Sequence, residues 1–253
     1  MSVHRLGIHP SWVIVFAGVC AALHVGKLPP ALPVLQTALG ISLVQAGFLL
    51  SAVQIASMVL GLIVGLSADR LGLRRSMLIG LALLSLASVT GGLATDVVTL
   101  LALRVLEGLG FLLVVMPAPG LIRLTVTEAA LSRRMGWWGT YMPTGSALAL
   151  LLGPWVIAGM NWSAWWWLVG LLSVLAGLAV WWWVPVIQPH ADTPPVPVWH
   201  HRLGLTLRSR SPWLLSLAFA VYSSQWLAVI GFLPTVYAEL GVASGMAGFL
   251  SAC

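Results

Sequence analysis

Long runs of apolar residues are the feature that most constrains what this chain can fold into. A helix rises about 1.5 Å per residue, so it needs roughly 17–25 mainly apolar residues to cross the hydrocarbon core of a bilayer. Runs of this length recur along the chain, in which 60% of residues are hydrophobic and 7% are charged. A water-soluble domain carries about a quarter charged residues. The sequence therefore predicts an all-α, polytopic membrane protein.

The polar breaks between the apolar runs predict seven spans, which we number in chain order. The first run lacks a small-residue cleavage site and is followed by further spans, so we interpret it as a retained helix and not as a signal peptide. Spans 1 to 7 are predicted at residues 11–38, 43–66, 76–94, 97–121, 137–159, 163–187 and 212–238.

The distribution of basic residues predicts the orientation. Ten of the twelve lysines and arginines lie before span 1 or in the connections after spans 2, 4 and 6, and none lies in the opposite connections. Because cytoplasmic connections are enriched in basic residues, we expect a multi-pass protein of the inner (cytoplasmic) membrane with a cytoplasmic N-terminus. Tryptophans are expected in interfacial belts. The inner belt would hold Trp12, Trp137, Trp138, Trp181 to Trp183 and Trp213, and the outer belt Trp162 and Trp165 to Trp167.

A repeated segment indicates that the chain contains parts of two similar units. The segment "LPVLQTALGISLVQAGFLLSA" begins at Leu32, and "LPTVYAELGVASGMAGFLSAC" begins at Leu233 and aligns with it without gaps. Span 7 therefore repeats span 1, and a six-span unit is typical of transporters built from two similar halves. We expect an N-terminal six-helix bundle at 1–187, a cytoplasmic linker at 188–211, and the start of a C-terminal bundle at 212–253. The remaining C-terminal half is then missing from this chain.

The stretch "GLSADRLGLRRSML" between spans 2 and 3 resembles the G-x-x-x-D-R-x-G-R-[RK] loop of the major facilitator superfamily. The resemblance implies a cytoplasmic gating loop, in which the aspartate braces the two halves through a helix of the second half. The matching residues are Gly65, Asp69, Arg70 and Gly72, with Leu73 in place of the first final basic residue and Arg74 fitting the second.

Two further segments extend this resemblance over essentially the whole chain. "RVLEGLG" in span 4 resembles the family pattern R-x-x-x-G-x-G at Arg104, Gly108 and Gly110. Span 5 keeps the family's glycine-proline pattern only at Gly153–Pro154, so the form associated with antiporters is poorly kept. The segment "MGWWGTYMPTGSALALLLGP" also looks like the cyanate-permease-like branch of the family. The resemblance implies secondary transport and no cofactor.

Three ionisable residues inside the spans are candidate site residues: Lys27 in span 1, and Arg104 and Glu107 in span 4. Charged groups within a membrane are costly and usually face a bundle interior or a cavity. Counted along the helices, Lys27 and Glu107 fall at one depth, and the family lines its central cavity with spans 1, 4, 7 and 10. Two interpretations follow: an anion site or proton-coupling cluster with one excess positive charge, or a self-neutralised structural network.

Weaker candidates surround these three. His24 lies one turn before Lys27, and histidine suits either proton coupling or hydrogen bonding inside the bundle. The repeat makes Gln225 the counterpart of His24, so Tyr222, Ser223 and Gln225 are expected opposite His24 across the cavity. Tyr141 on span 5 is a further candidate.

Glycines and prolines predict local helix geometry. Pro29, Pro30 and Pro33 remove backbone donors and are expected to loosen the outer part of span 1. Gly61 and Gly65 on span 2 are expected to allow close helix packing.

The leading hypothesis is secondary active transport of a small anion by alternating access, with the proton as a candidate coupling ion; the sequence does not identify the solute or the direction of transport. The alternatives are a proton-coupled exporter of drugs or cations, and a seven-helix receptor or sensor. The sequence holds no nucleotide-binding glycine loop, metal constellation or nucleophile triad, so nothing supports an enzyme or ATP-driven transport. The basic residues lie between spans, where the membrane explains them without a nucleic-acid partner.

Overall fold

The computed structural model describes residues 9–186, 204 and 207–252, apart from the side chains of residues 62–70, 226 and 227. The regular secondary structure of this part of the chain is all helical, joined by short turns and including a 3₁₀ turn at Pro29–Ala31. The helices are α1 (Pro10–Gly26), α2 (Leu32–Leu39), α3 (Leu43–Leu71), α4 (Leu73–Gly91), α5 (Val97–Val115), α6 (Ala118–Thr125), α7 (Glu128–Gly139), α8 (Tyr141–Gly159), α9 (Trp162–Trp183), α10 (Arg210–Glu239) and α11 (Ser244–Ala252).

Seven segments of the described residues are long and apolar enough to cross a membrane. Span 1 consists of α1 and α2, span 4 of α5 and α6, and span 5 of α7 and α8. Spans 2, 3, 6 and 7 lie in α3, α4, α9 and α10, and α11 follows span 7. The predicted all-α, polytopic fold is confirmed.

The connections after spans 2 and 4 are more helical than expected. The stretch 67–75 is helical except at Gly72, and most of 122–136 belongs to α6 and α7. Arginine is a good helix former, so the basic residues that mark these connections extend the neighbouring helices.

The prolines break span 1 as predicted. α1 ends at Gly26, the 3₁₀ turn occupies Pro29–Ala31, and α2 starts at Leu32. Lys27 caps α1, and its carbonyl accepts a hydrogen bond from the Trp165 indole at 3.0 Å. The break therefore frees a backbone acceptor that a side chain of another helix satisfies.

Span 1 lies at the centre of the bundle and span 7 at its periphery. In span 1, 83% of the most apolar 18-residue window is buried, against 6% in span 7. α1 packs against α4, α5, α6, α7, α8 and α9, whereas α10 contacts the outer part of span 1, α3 and α11. Any site built on α1 is therefore enclosed by the first bundle.

The repeat seen in the sequence is also a repeat of backbone conformation. Gly40 follows α2 with φ 63°, and Gly241 follows α10 with φ 76°. Both lie in the left-handed region, which glycine adopts at little cost. A new helix starts three residues after each glycine, at Leu43 and Ser244. Spans 1 and 7 therefore end with the same turn.

Glycines allow the closest helix approaches, but Gly61, one of the two glycines expected to pack on span 2, does not; the surroundings of Gly65 are outside the described residues. A Cβ on Gly108 of α5 would lie 2.7 Å from the Val53 carbonyl oxygen of α3, and Ser57 of α3 donates to the Gly108 carbonyl at 3.1 Å. Gly80 and Gly110 bring α4 and α5 together in the same way. Gly61 has no atom within 4 Å of an added Cβ, so its predicted packing role was wrong.

We expect Gly108→Ala to lower the stability of the chain by about 1–3 kcal/mol, because the methyl group forces α3 and α5 apart. Thermal unfolding in detergent micelles, followed by tryptophan fluorescence, measures the change. Gly61→Ala is the matched control, and it should leave the midpoint unchanged or raise it slightly. Equal losses in the two variants would contradict the packing argument.

Candidate functional site

The ionisable residues of spans 1 and 4 meet inside the first bundle. Both Lys27 and Arg104 contact the Glu107 carboxylate: Lys27 Nζ pairs with Oε1, and an Arg104 Nη1–H donates to Oε2 at 2.6 Å. His24 Nδ1 lies 3.2 Å from Oε1. We call these four residues, together with Ser88 and Ser173, the Glu107 cluster.

Helix geometry explains why these side chains converge. Arg104 and Glu107 are three residues apart on α5 and therefore share one face. His24 and Lys27 are likewise one turn apart at the end of α1. Arg104 Nη1 also donates to the His24 carbonyl oxygen at 2.6 Å, so this hydrogen bond links α5 to the end of α1.

Two serines that no sequence pattern singles out complete the cluster. Lys27 Nζ donates to Ser88 Oγ of α4 at 2.7 Å, and Ser88 Oγ donates to the Trp166 carbonyl at 2.7 Å. His24 Nε2 lies 2.7 Å from Ser173 Oγ of α9. A neutral His24 can donate from Nδ1 to Glu107 while Ser173 donates to Nε2. Small polar residues are common in membrane helices, so only their place in the fold distinguishes these two.

The Glu107 cluster is enclosed and carries more positive than negative charge. Each of His24, Lys27, Arg104 and Glu107 is at most 1% exposed. Lys27 and Arg104 share a single carboxylate, and Arg104 Nη2 has no hydrogen-bond partner among the described residues. An uncompensated charge in a low-dielectric interior is unfavourable. The cluster can therefore relieve its excess charge by binding an anion or by releasing a proton.

Three tryptophans expected at the interfaces lie in the core instead. Trp165 and Trp166 are 1% exposed and Trp138 is 7% exposed. The Trp166 ring centroid lies 4.8 Å from Lys27 Nζ, a cation–π contact. The belt prediction was wrong for these three because their rings fill the space between helices. Trp12, Trp137, Trp181 and Trp182 are exposed, as a belt requires.

The structure does not bring the polar residues of span 7 to His24. Tyr222 is 63% exposed, and Gln225 is exposed as well. His24 is instead enclosed by the first bundle, where its ring contacts residues of α5 and α9. The expected arrangement across a cavity was wrong, because His24 points into its own bundle. A role of Tyr222 and Gln225 in transport stays a prediction.

Tyr141 lies apart from the Glu107 cluster. Its ring stacks on Trp138 with the centroids 4.3 Å apart, and it packs against the hydrophobic cluster that includes Ile14. The contacts of Tyr141 are those of a packing residue. Its part in solute binding stays a prediction.

The expected gating loop is a tight turn between two helices. Gly65, Asp69 and Arg70 lie on α3, and their side chains are outside the described part of the chain. Gly72 joins α3 to α4 with φ 82°, where a larger residue would be strained. Arg74 donates to the Trp181 carbonyl at 2.6 Å and lies over the Trp181 ring. The gating role of these residues stays a prediction.

A separate apolar cavity of about 440 Å³ lies where the outer part of span 1 meets α8, α10 and α11. None of the described residues that line it is charged. Its walls include Pro30, Pro33, Pro154 and Pro234.

Sequence comparisons identify related membrane proteins. The family model described as Major Facilitator Superfamily matches residues 14–253. The chain is 26% identical over 245 residues to the cyanate transport protein CynX of Escherichia coli (strain K12), covering 95% of this chain and 61% of that protein. It is 29% identical over 151 residues to the tetracenomycin C resistance and export protein of Streptomyces glaucescens, covering 58% of this chain and 28% of that protein.

A solved structure has the same fold. The inward-facing, unoccupied structure of a bacterial homolog to the human lysosomal transporter Spinster superimposes with a TM-score of 0.73 at 20% identity, covering 98% of this chain and 60% of that one. The chain thus spans about three-fifths of the length of CynX and of this structural neighbour, and less of the tetracenomycin exporter.

Proposed function

The chain belongs to the major facilitator superfamily. Because the related proteins and the structural neighbour are transporters and not enzymes, we propose that it works in secondary active transport. It supplies the first six-helix bundle and the start of the second, and the two halves rock about a site between them. We place it in the bacterial cytoplasmic membrane with its N-terminus in the cytoplasm. The solute is a small anion and the coupling ion is a proton.

The excess positive charge of the Glu107 cluster is the observation that supports an anionic solute. Lys27 and Arg104 oppose one carboxylate, and Arg104 Nη2 is buried without a partner. A small anion would balance the charge and accept this N–H in a charge-assisted hydrogen bond. The cluster is closed in this structure, so the anion reaches it only when α1 and α5 move apart.

His24 is the best placed residue for coupling to protons. Histidine exchanges protons in the physiological pH range, and this one lies between Glu107 and Ser173. A proton taken up by His24 raises the positive charge beside Glu107. Anion and proton then favour each other's binding, which is what symport requires.

A second candidate is proton-coupled export of an apolar drug. The apolar cavity of about 440 Å³ favours it, since the cavity lies outside the Glu107 cluster and the described residues that line it are uncharged. The likeness to a tetracenomycin C exporter also favours it. In that case the Glu107 cluster would serve coupling only.

Transport assays with both kinds of solute separate the two candidates. The chain is expressed in the longest form that its reading frame encodes, and cells are tested for uptake of labelled cyanate and for retention of tetracenomycin C. We expect saturable cyanate uptake that a protonophore abolishes, with tetracenomycin C retention unchanged. Reduced drug retention without cyanate uptake would establish the exporter instead. The anion proposal would be overturned if cyanate uptake and tetracenomycin C retention both equalled those of cells that lack the protein, and if a panel of other small anions was not taken up either.

A further inference from the structure

A cation–aromatic corner lies where α1 meets α7. The Arg134 guanidinium lies over the Trp12 ring, 4.5 Å from its centroid. The Trp137 ring meets Trp12 edge-on, with centroids 5.3 Å apart. Trp12 and Trp137 remain 40% and 50% exposed. The corner therefore presents one cation and two aromatic rings on the outside of the bundle.

The length of span 5 sets the depth of this corner. α7 and α8 follow each other with only Thr140 between them, and span 5 covers 32 residues, which is about 48 Å of helix against a hydrocarbon core of about 30 Å. If Gly159 lies at one edge of the core, the other edge falls near Gly139. Arg134 then lies about 8 Å beyond that edge, among the lipid headgroups.

Arg134 is not neutralised within the described part of the protein. The ion pairs of the described residues all involve Glu107, and Arg134 Nε is shielded from solvent without a hydrogen-bond partner. Arg74 offers a comparison, since it lies over Trp181 in a similar way but donates to the Trp181 carbonyl. Arg74 thus binds the end of its neighbouring helix, whereas Arg134 is free to bind a ligand.

His9 beside this corner adds no charge to it. Burial and the Arg134 guanidinium hold the pKa of His9 below its usual value. The neutral ring stays bonded to Ser11, whose Oγ lies 2.8 Å from Nδ1. Among the described residues, the positive charge of the corner is therefore that of Arg134, with Arg133 exposed next to it.

We propose that Trp12, Arg134 and Trp137 form a binding site for the headgroup phosphate of an anionic phospholipid. Guanidinium groups bind phosphate oxygens through charge-assisted hydrogen bonds. Tryptophan rings prefer the headgroup level, where they cover the glycerol and upper acyl region. The lipid is the source of the phosphate, because a free ion would leave the two exposed rings unused. This inference does not depend on the transported solute.

Native mass spectrometry of the purified chain in detergent, titrated with phosphatidylglycerol or phosphatidylcholine, tests the proposal. We expect phosphatidylglycerol to bind about tenfold more tightly, and Arg134→Gln to weaken its binding about five- to tenfold. Arg133→Gln removes the same charge one residue away and should change binding less than about twofold. Excess inorganic phosphate should not displace the lipid.

Any one of the following results would overturn the site. Equal weakening by Arg133→Gln and Arg134→Gln would mean diffuse attraction to basic residues. Displacement by inorganic phosphate would mean a free-anion site. Unchanged binding in Arg134→Gln would mean that the lipid binds elsewhere. If Arg134→Gln does not fold, Trp137→Ala, which removes an exposed ring, should still weaken phosphatidylglycerol binding, and wild-type binding by that variant would also refute the proposal.

Discussion

Glu107→Gln should be the most destabilising change in the Glu107 cluster, lowering stability by about 3–5 kcal/mol. The substitution keeps the size of the side chain but removes the carboxylate that Lys27 and Arg104 share. Two buried cations are then left without a counter-charge. Thermal unfolding in detergent should show a midpoint about 10 °C lower.

Charge balance also makes a neighbouring substitution mild. Lys27→Met leaves Arg104 paired with Glu107, so the buried cluster becomes neutral, and we expect a loss below about 1.5 kcal/mol. Glu128→Gln makes the chemical change of Glu107→Gln on an exposed carboxylate and should stay within about 0.5 kcal/mol of wild type. If Lys27→Met and Glu107→Gln were equally harmful, packing and not charge balance would hold the cluster together.

Arg104→Gln should reduce anion uptake by about 10- to 100-fold while the protein remains folded. The substitution leaves Lys27 paired with Glu107, so it removes the excess positive charge without leaving a buried ion unpaired. It also removes the unpartnered N–H that would bind the anion. Initial rates of cyanate uptake, normalised to the amount of folded protein, measure the effect.

Two companion variants decide between the interpretations of the cluster. Arg123→Gln removes an exposed cation of α6 and should leave uptake unchanged. Lys27→Met neutralises the cluster from the other side and should reduce uptake as Arg104→Gln does. If Arg104→Gln and Lys27→Met are both folded and both show normal uptake, the Glu107 cluster is purely structural and the anion site lies elsewhere.

The sequence alone was sufficient for the class of protein, for seven spans and for the repeat of span 1 in span 7. These properties depend on the length of apolar runs and on turn residues such as Gly40 and Gly241. Both are determined by residues that are close together in the sequence. It also predicted that Lys27 and Glu107 lie at one depth, because the helical rise is constant.

Only the tertiary structure decided which way the side chains of each span face. In a soluble protein the polar face of a helix marks the side that faces water. In a membrane protein an apolar residue has a similar free energy in lipid and in a bundle core, so hydrophobicity does not mark either side. The sequence therefore could not tell that Trp165 and Trp166 are buried while Trp12 and Trp137 are exposed. For the same reason the sequence did not indicate the roles of Ser88 and Ser173, and the predicted position of His24 opposite span 7 was wrong. Their partners lie on helices distant in sequence, so packing alone brings them together.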